Sequence, residues 1–266
     1  MNTSTLSLYI CRIIVVGLFF SPTVASAMGV EEIVAKANMA SYYAGEDGRS
    51  EVRMTITDSQ GRERERQFVI LRRNIEDGGR QLYYVYFERP ADVRRMVFMV
   101  HKFIDRDDDR WLFLPDLDLV RRIAASDKRS SFAGSHFLYE DVSGRAPTED
   151  HHQLAEESAE HYLLNSTPKD PESVEFSRYR IWIDKQNFLP IKAEYYDRSD
   201  KLYRVVEALK VETVDGFPTV MQSRVKDLAS GGETVMEFSN IRYNIGLDDS
   251  LFSERYLRRP PREVRR

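Results

Sequence analysis

From Glu51 onward, apolar side chains fall at every second position through most of the chain. Val52, Met54 and Ile56 alternate with Arg53, Thr55 and Thr57, the pattern of a half-buried strand. Residues 63–73 repeat it with Phe68 and Ile70 on one face, and strands are predicted again at 81–87, 96–104 and 111–114. Later strands are predicted at 177–184, 190–197, 201–213, 219–227 and 234–243. Turn-forming residues separate them, among them Ser59-Gln60-Gly61, Asp77-Gly78-Gly79, Asp215-Gly216 and Ser230-Gly231-Gly232. Sequential strands joined by short hairpins make an antiparallel meander.

A meander of about 10–11 strands is too long for a flat open sheet, so it must curl. At roughly 4.8 Å per strand its arc is on the order of 50 Å, wider than the ~8 strands whose side chains fill a barrel interior. A helix or a ligand must occupy the remaining space. One helix is plain: over 31–43, Val30, Ile33, Val34, Ala37 and Ala40 form an apolar stripe, with Glu31 and Glu32 in the first turn and Gly45 and Gly48 beyond its end. It is either packed on the sheet or seated as a plug over a cavity mouth. Residues 151–164, HHQLAEESAEHYLL, have helical composition, and a second helix is predicted there.

Residues 1–27 have the layout of a secretory signal. Arg12 precedes an apolar run, Ile13 to Phe20, too short to span a bilayer, and Ala25-Ser26-Ala27 is an A-x-A cleavage site. The expected mature chain begins at Met28 and leaves behind Cys11, the sole cysteine. That excludes disulfides, thiolate metal sites and cysteine nucleophiles from it. Without Arg12 the remaining 38 basic and 43 acidic residues leave a net charge of −5, which argues against a nucleic-acid binder.

Between the two runs of strands lies WLFLPDLDLVRRIAASDKRSSFAGSHFLYEDV, residues 111–142. A short aromatic strand stops at Pro115, two arginines follow, and a Ser/Gly-rich stretch holding Phe132 ends on Tyr139-Glu140-Asp141. Long connections without apolar periodicity are often lids or binding loops. The ordered motifs W-L-F-L-P (111–115), R-R-I (121–123), S-F-A-G-S (131–135) and F-L-Y-E-D (137–141) resemble the LolA-like, outer-membrane lipoprotein-sorting family of periplasmic proteins. The likeness runs at lower specificity from Val30 to Leu257, and His136 stands where the family pattern suggests an acidic residue.

The resemblance implies a mainly β (α+β) fold, a curved antiparallel half-barrel of about 10–11 strands with helices against its concave face. It divides the chain into a signal peptide (1–27), one lipid-binding domain (28–257) and a basic tail (258–266). It implies a periplasmic carrier of lipoprotein acyl chains or free lipid, monomeric, working with a resistance-nodulation-division (RND) type inner-membrane transporter. The alternative is a non-transporting accessory or sensor subunit of a membrane protein complex.

The expected cavity lining is Met54, Ile56, Phe68, Ile70, Tyr84, Tyr86, Phe98, Val100, Trp111 and Phe113, continued by Ile181, Ile191 and Tyr195. The same side chains would equally make a dry core. Methionines and aromatics suit variable apolar cargo, and at ~0.8 kcal/mol per buried methylene one long acyl chain offers about 12 kcal/mol. The lid or headgroup candidates are Arg121, Arg122, Phe132, Tyr139, Glu140 and Asp141. The arginine pair could meet a lipid phosphate or carboxylate, or form ion pairs with nearby acids.

Asp105 to Asp109 lacks the glycine and glutamate of a calcium loop, and His151, His152 and His161 lack a zinc spacing. No nucleophile elbow, P-loop or dinucleotide fingerprint occurs, so neither cofactor nor enzymatic activity is expected. Six arginines in 255–266 make the tail either a solvated end or a dock for an anionic surface.

Overall fold

In the computed structural model, which describes residues 28–265, 13 strands form one antiparallel sheet. The first meander is β1 (Asp47–Thr57), β2 (Glu63–Asn74), β3 (Gln81–Arg89), β4 (Val97–Lys102), β5 (Asp109–Leu114) and β6 (Leu119–Ile123). The second is β7 (Asp150–Glu157), β8 (His161–Pro168), β9 (Phe176–Asp184), β10 (Pro190–Asp197), β11 (Leu202–Val214), β12 (Phe217–Asp227) and β13 (Gly232–Tyr243). The two are joined where β1 pairs with β13, so β6 and β7 are the outer edges. The chain between them, residues 124–149, must therefore travel from one edge of the sheet to the other. It carries the short helix α2 (Tyr139–Ser143).

The sheet is curved and not closed, as the strand pattern requires, but it has more strands than predicted. The excess comes partly from β7 and β8, which occupy the segment expected to be a helix. Leu154 pairs with Leu164 and Gln153 with Asn165 across this hairpin. Its composition misleads because β7 is an edge strand, and charged residues such as Glu156 and Glu157 are the usual protection of an exposed edge. Backbone pairing to β8 overrides the local helix preference.

Helix α1 (Val30–Tyr42) lies where its apolar stripe dictates, with Ile33 and Ala37 buried against Tyr162, Leu164 and Ile183 of β8 and β9. On the same face of the sheet, Val52, Met54, Ile56, Phe68, Val85, Phe98 and Val100 are covered by Phe132 and Phe137 of the central connection. The opposite face is not solvated either. Leu247, Leu251, Phe252, Leu257 and Val264 of the C-terminal segment pack on Val69, Leu71, Tyr84, Met99, Trp111 and Phe113. That segment holds the short helix α3 (Arg255–Arg258), and it is fixed by the Tyr84 hydroxyl donating to Tyr256 O at 2.7 Å and Arg49 Nε donating to Glu263 O at 3.0 Å. As far as residue 265 the arginine-rich end is thus a packed strap, not a solvated tail, because its arginines are interleaved with the buried Leu257 and Val264.

Candidate functional site

The face that carries α1 and α2 encloses a cavity of about 470 Å³, within the size range of ligand pockets. Its walls come from strands far apart in the sheet: Phe68 and Ile70 on β2, Ile181 on β9, Ala193 on β10, Val206 on β11 and Phe238 on β13. One cavity touching β2 and β9 together means that the sheet wraps around it. This is the concave face. α1 contributes Val34, Ala37 and Tyr42 to the roof, and α2 contributes Glu140, Asp141 and Val142.

The first meander does not share this space equally. Phe132 sits 5.9 Å from Phe68, 5.7 Å from Phe87, 5.7 Å from Phe98 and 5.7 Å from Tyr139, measured between ring centroids. This aromatic plug fills the concave face over β2 to β4. Its turn is held by Phe132 N donating to Phe137 O at 2.8 Å and Ser135 Oγ to Phe132 O at 2.7 Å, with Ala133 and Gly134 at positive φ. His136 fits because it packs against Gly232, where any Cβ would meet the imidazole at 2.6 Å, and its Nδ1 lies 2.8 Å from Thr234 Oγ1.

Among the expected lining residues, Phe68 and Ile70 border the cavity, and so do Ile181 and Tyr195. Met54, Ile56, Phe98 and Val100 share the concave face but lie under the plug in a packed core. Tyr84, Tyr86, Trp111 and Phe113 are on the opposite face, beneath the C-terminal strap. The parity error has a simple source: β3 is apolar at both parities, Tyr83, Val85 and Phe87 as well as Tyr84 and Tyr86, and a shift of one residue exchanges the faces. Ile191 falls at an irregularity in the β9–β10 register and does not line the cavity.

Of the lid candidates, Arg121 and Arg122 are not at the cavity. They are exposed on edge strand β6, Arg121 at 3.9 Å from Asp127 and Arg122 paired with Asp109. Glu140 is 3% exposed and meets three cations: Arg129, Lys128 at 3.3 Å and Arg145 at 3.4 Å. Burial raises its pKa, but these cations more than reverse that and hold the carboxyl below the usual range. Arg129 continues to Glu175 at 2.6 Å and Arg145 to Asp150 at 2.9 Å. Asp141 accepts from Leu138 N at 2.7 Å and pairs with Arg204 of β11 at 2.5 Å. Lys102 Nζ donates to Ser143 O at 2.6 Å, and burial pushes its pKa down to about 8. The Y-E-D motif therefore fastens the connection: Tyr139 packs on Phe98 of β4, Asp141 pairs with Arg204 of β11, and Glu140 gathers the connection's own Lys128, Arg129 and Arg145. Asp108 and Asp109 are likewise engaged by Arg110 and Arg106. Among the described residues no cluster of three or more His, Cys, Asp or Glu is placed to hold a metal.

A solved DUF1329 family protein from Desulfovibrio piger superposes on this chain with a TM-score of 0.78 at 32% identity, covering 86% of this chain and 98% of that one. The chain belongs to the DUF1329 family. A family model described as an uncharacterized protein matches residues 79–259. An outer membrane lipoprotein-sorting protein domain from Vibrio parahaemolyticus is similar to this DUF1329 chain at 25% identity with a TM-score of 0.77, covering 87% of this chain and 98% of that one. A LolA superfamily protein from Nitrosomonas europaea shares the fold at 22% identity with a TM-score of 0.66, covering 86% and 100%. No curated protein matches. The LolA-like resemblance carried by the W-L-F-L-P to F-L-Y-E-D motifs is borne out by these neighbours.

Among the side chains that sequence reasoning missed are Tyr42, Arg72, Tyr83, Ala193, Val206, Phe238 and Tyr243. One of them was visible. Arg72 follows Phe68 and Ile70 at a spacing of two, so the same alternation puts a cation on the concave face.

Proposed function

We propose that this DUF1329 protein is a periplasmic carrier that shelters the acyl chain of a lipid or lipoprotein between the sheet and its lid. The observation that carries this reading is the apolar cavity itself, enclosed by α1 and α2 on a LolA-like half-barrel. Burying roughly 15 methylenes there at ~0.8 kcal/mol each supplies the driving force for taking an acyl chain from a membrane. The mechanism is non-covalent: the connection 124–149 lifts, the chain enters along β9 to β13, and the ion pairs Asp141–Arg204, Arg129–Glu175 and Arg145–Asp150 re-form. The export signal read at 1–27 lies outside the described residues and agrees with a periplasmic site of action. An RND-type lipid exporter is the partner that the lipoprotein-sorting resemblance suggests.

Native mass spectrometry of the protein purified without detergent tests the reading. A bound lipid mass is expected, and it should be lost in Ala193→Trp, which fills the cavity from β10, provided that variant keeps its far-UV spectrum. A clean apo mass with no uptake of a fluorescent fatty acid or phospholipid would sink the carrier and leave an accessory subunit recognised by a membrane partner.

A further inference from the structure

Three cations line the cavity, and two of them are neutralised on the spot. Arg49 turns its guanidinium away to the strap, pairing with Glu51 at 2.9 Å and donating to Glu263 O at 3.0 Å, and Arg145 pairs with Asp150 at 2.9 Å and Glu149 at 2.8 Å. Arg72 is different. Its Nη1 donates to Asn74 Oδ1 at 2.6 Å and its Nη2 to the carbonyl of Ala44, both neutral oxygens. Among the described residues no carboxylate lies within ion-pair distance of it, and its Nε donates to no protein group. Asp47, the acid with the largest influence on Arg72, is already committed to Ile245 N and Leu247 N at 2.7 Å each and to Arg73 at 3.7 Å.

Arg72 is half-buried, and burial lowers its pKa from the ordinary arginine value. A half-buried cation without a counter-charge still gains from an anion that completes it. Its surroundings are built to receive that anion. Arg72 stands opposite Gly48 on β1 and Tyr83 on β3, and Tyr42 and Tyr243 border the same end of the cavity. Those groups are oriented: Tyr83 OH donates to Gln81 Oε1 at 3.0 Å, Gln81 Nε2 donates to Tyr42 O at 2.7 Å, and Tyr243 OH lies 3.0 Å from Thr219 Oγ1. The carboxylates bordering the cavity, Glu140, Asp141, Asp150 and Glu207, are each held by an arginine other than Arg72. Arg72 is thus the cavity cation left to a ligand, and Phe68 and Ile70 precede it on the same face of β2.

We propose that Arg72 anchors the anionic end, carboxylate or phosphate, of an amphiphile whose apolar tail lies along Phe68, Ile70, Val206 and Phe238. The assignment rests on the carrier reading and makes it specific: the cargo is an anionic single-tail or acylated molecule, not a neutral one. The guanidinium offers two parallel donors to either oxyacid.

The test is displacement of the uncharged fluorophore N-phenyl-1-naphthylamine from the full protein by a series with one tail: dodecanoate, dodecyl phosphate, dodecanol and dodecyltrimethylammonium. The anions are expected to bind roughly 10- to 100-fold more tightly than the alcohol, and the ammonium more weakly still. The tighter of the two anions assigns the headgroup as carboxylate or phosphate. In Arg72→Gln that preference should vanish while the fluorophore and dodecanol bind as before; in Arg49→Gln it should persist. Equal binding of anion and alcohol by the unmodified protein overturns the anchor and leaves the carrier standing, a result that needs no variant to fold. An anion preference that survives in a folded Arg72→Gln also overturns it. Failure of every amphiphile and of the fluorophore to bind sinks the anchor and the carrier together.

Discussion

Glu140 does the work of a rivet. Its carboxylate is buried among Arg129, Lys128 and Arg145, and removing one partner from such a network leaves the others under-neutralised. Glu140→Gln should cost about 3 kcal/mol in urea unfolding at neutral pH, the low end of the range because Arg129 and Arg145 keep Glu175 and Asp150. The pH dependence has a definite sign. The folded-state pKa is below the ordinary value of 4.5, so the contribution is complete above about that pH and is lost as pH falls through the folded value. The acid limb of the stability profile should be shallower in Glu140→Gln than in the unmodified protein; parallel limbs would show that the carboxylate contributes nothing as an anion. Phe132 is the other residue on which the lid depends. Phe132→Ala leaves a hole among Phe68, Phe87 and Phe98 and should cost about 3–5 kcal/mol in the same measurement.

At the scale of elements, the connection 124–149 and the C-terminal strap divide the two faces of the sheet between them. The connection covers the concave side, where it leaves a cavity over β9 to β13. The strap covers the other side with Leu251, Phe252, Leu257 and Val264. Ending the chain after residue 247 would bare Val69, Tyr84, Met99, Trp111 and Phe113 together, a contiguous apolar patch of the kind soluble proteins avoid. That truncation should bind the hydrophobic dye ANS strongly and aggregate on concentration. A monodisperse truncated protein without dye binding would show the strap to be dispensable.

For the whole molecule the decisive joint is the pairing of β1 with β13, which brings Val52 beside Phe238 and Met54 beside Met236. Both meanders lean on it, and neither edge strand meets the other. Val235→Pro removes a backbone donor from the interior of the sheet, between Thr55 and Arg224. It should abolish the single cooperative unfolding transition seen by far-UV circular dichroism, because both meanders contribute to the cavity wall. Two separate transitions of near-normal amplitude would mean that the halves fold independently.

The sequence by itself determined the alternation of strands, the helix α1, the need for a curled sheet with something in its concavity, and a long connection between the two runs of strands. These are local properties: a period of 2 or 3.6 is written in neighbouring residues, and the hairpin residues Asp77-Gly78-Gly79 and Asp215-Gly216 are where the chain turns. Tertiary structure alone decided which parity of β3 faces the cavity, since the residues that make Tyr84 and Trp111 interior arrive with the strap well over a hundred positions later. It decided that 150–168 is a hairpin, because an edge strand gains its hydrogen bonds from a partner that composition does not reveal. It also decided the fate of the arginines. Arg121 and Arg122 look like a headgroup clamp in the sequence, yet among the described residues Arg72 is the cavity arginine without a carboxylate partner. Whether a charge is neutralised depends on groups brought close by the fold, and alternation records only the face on which it stands.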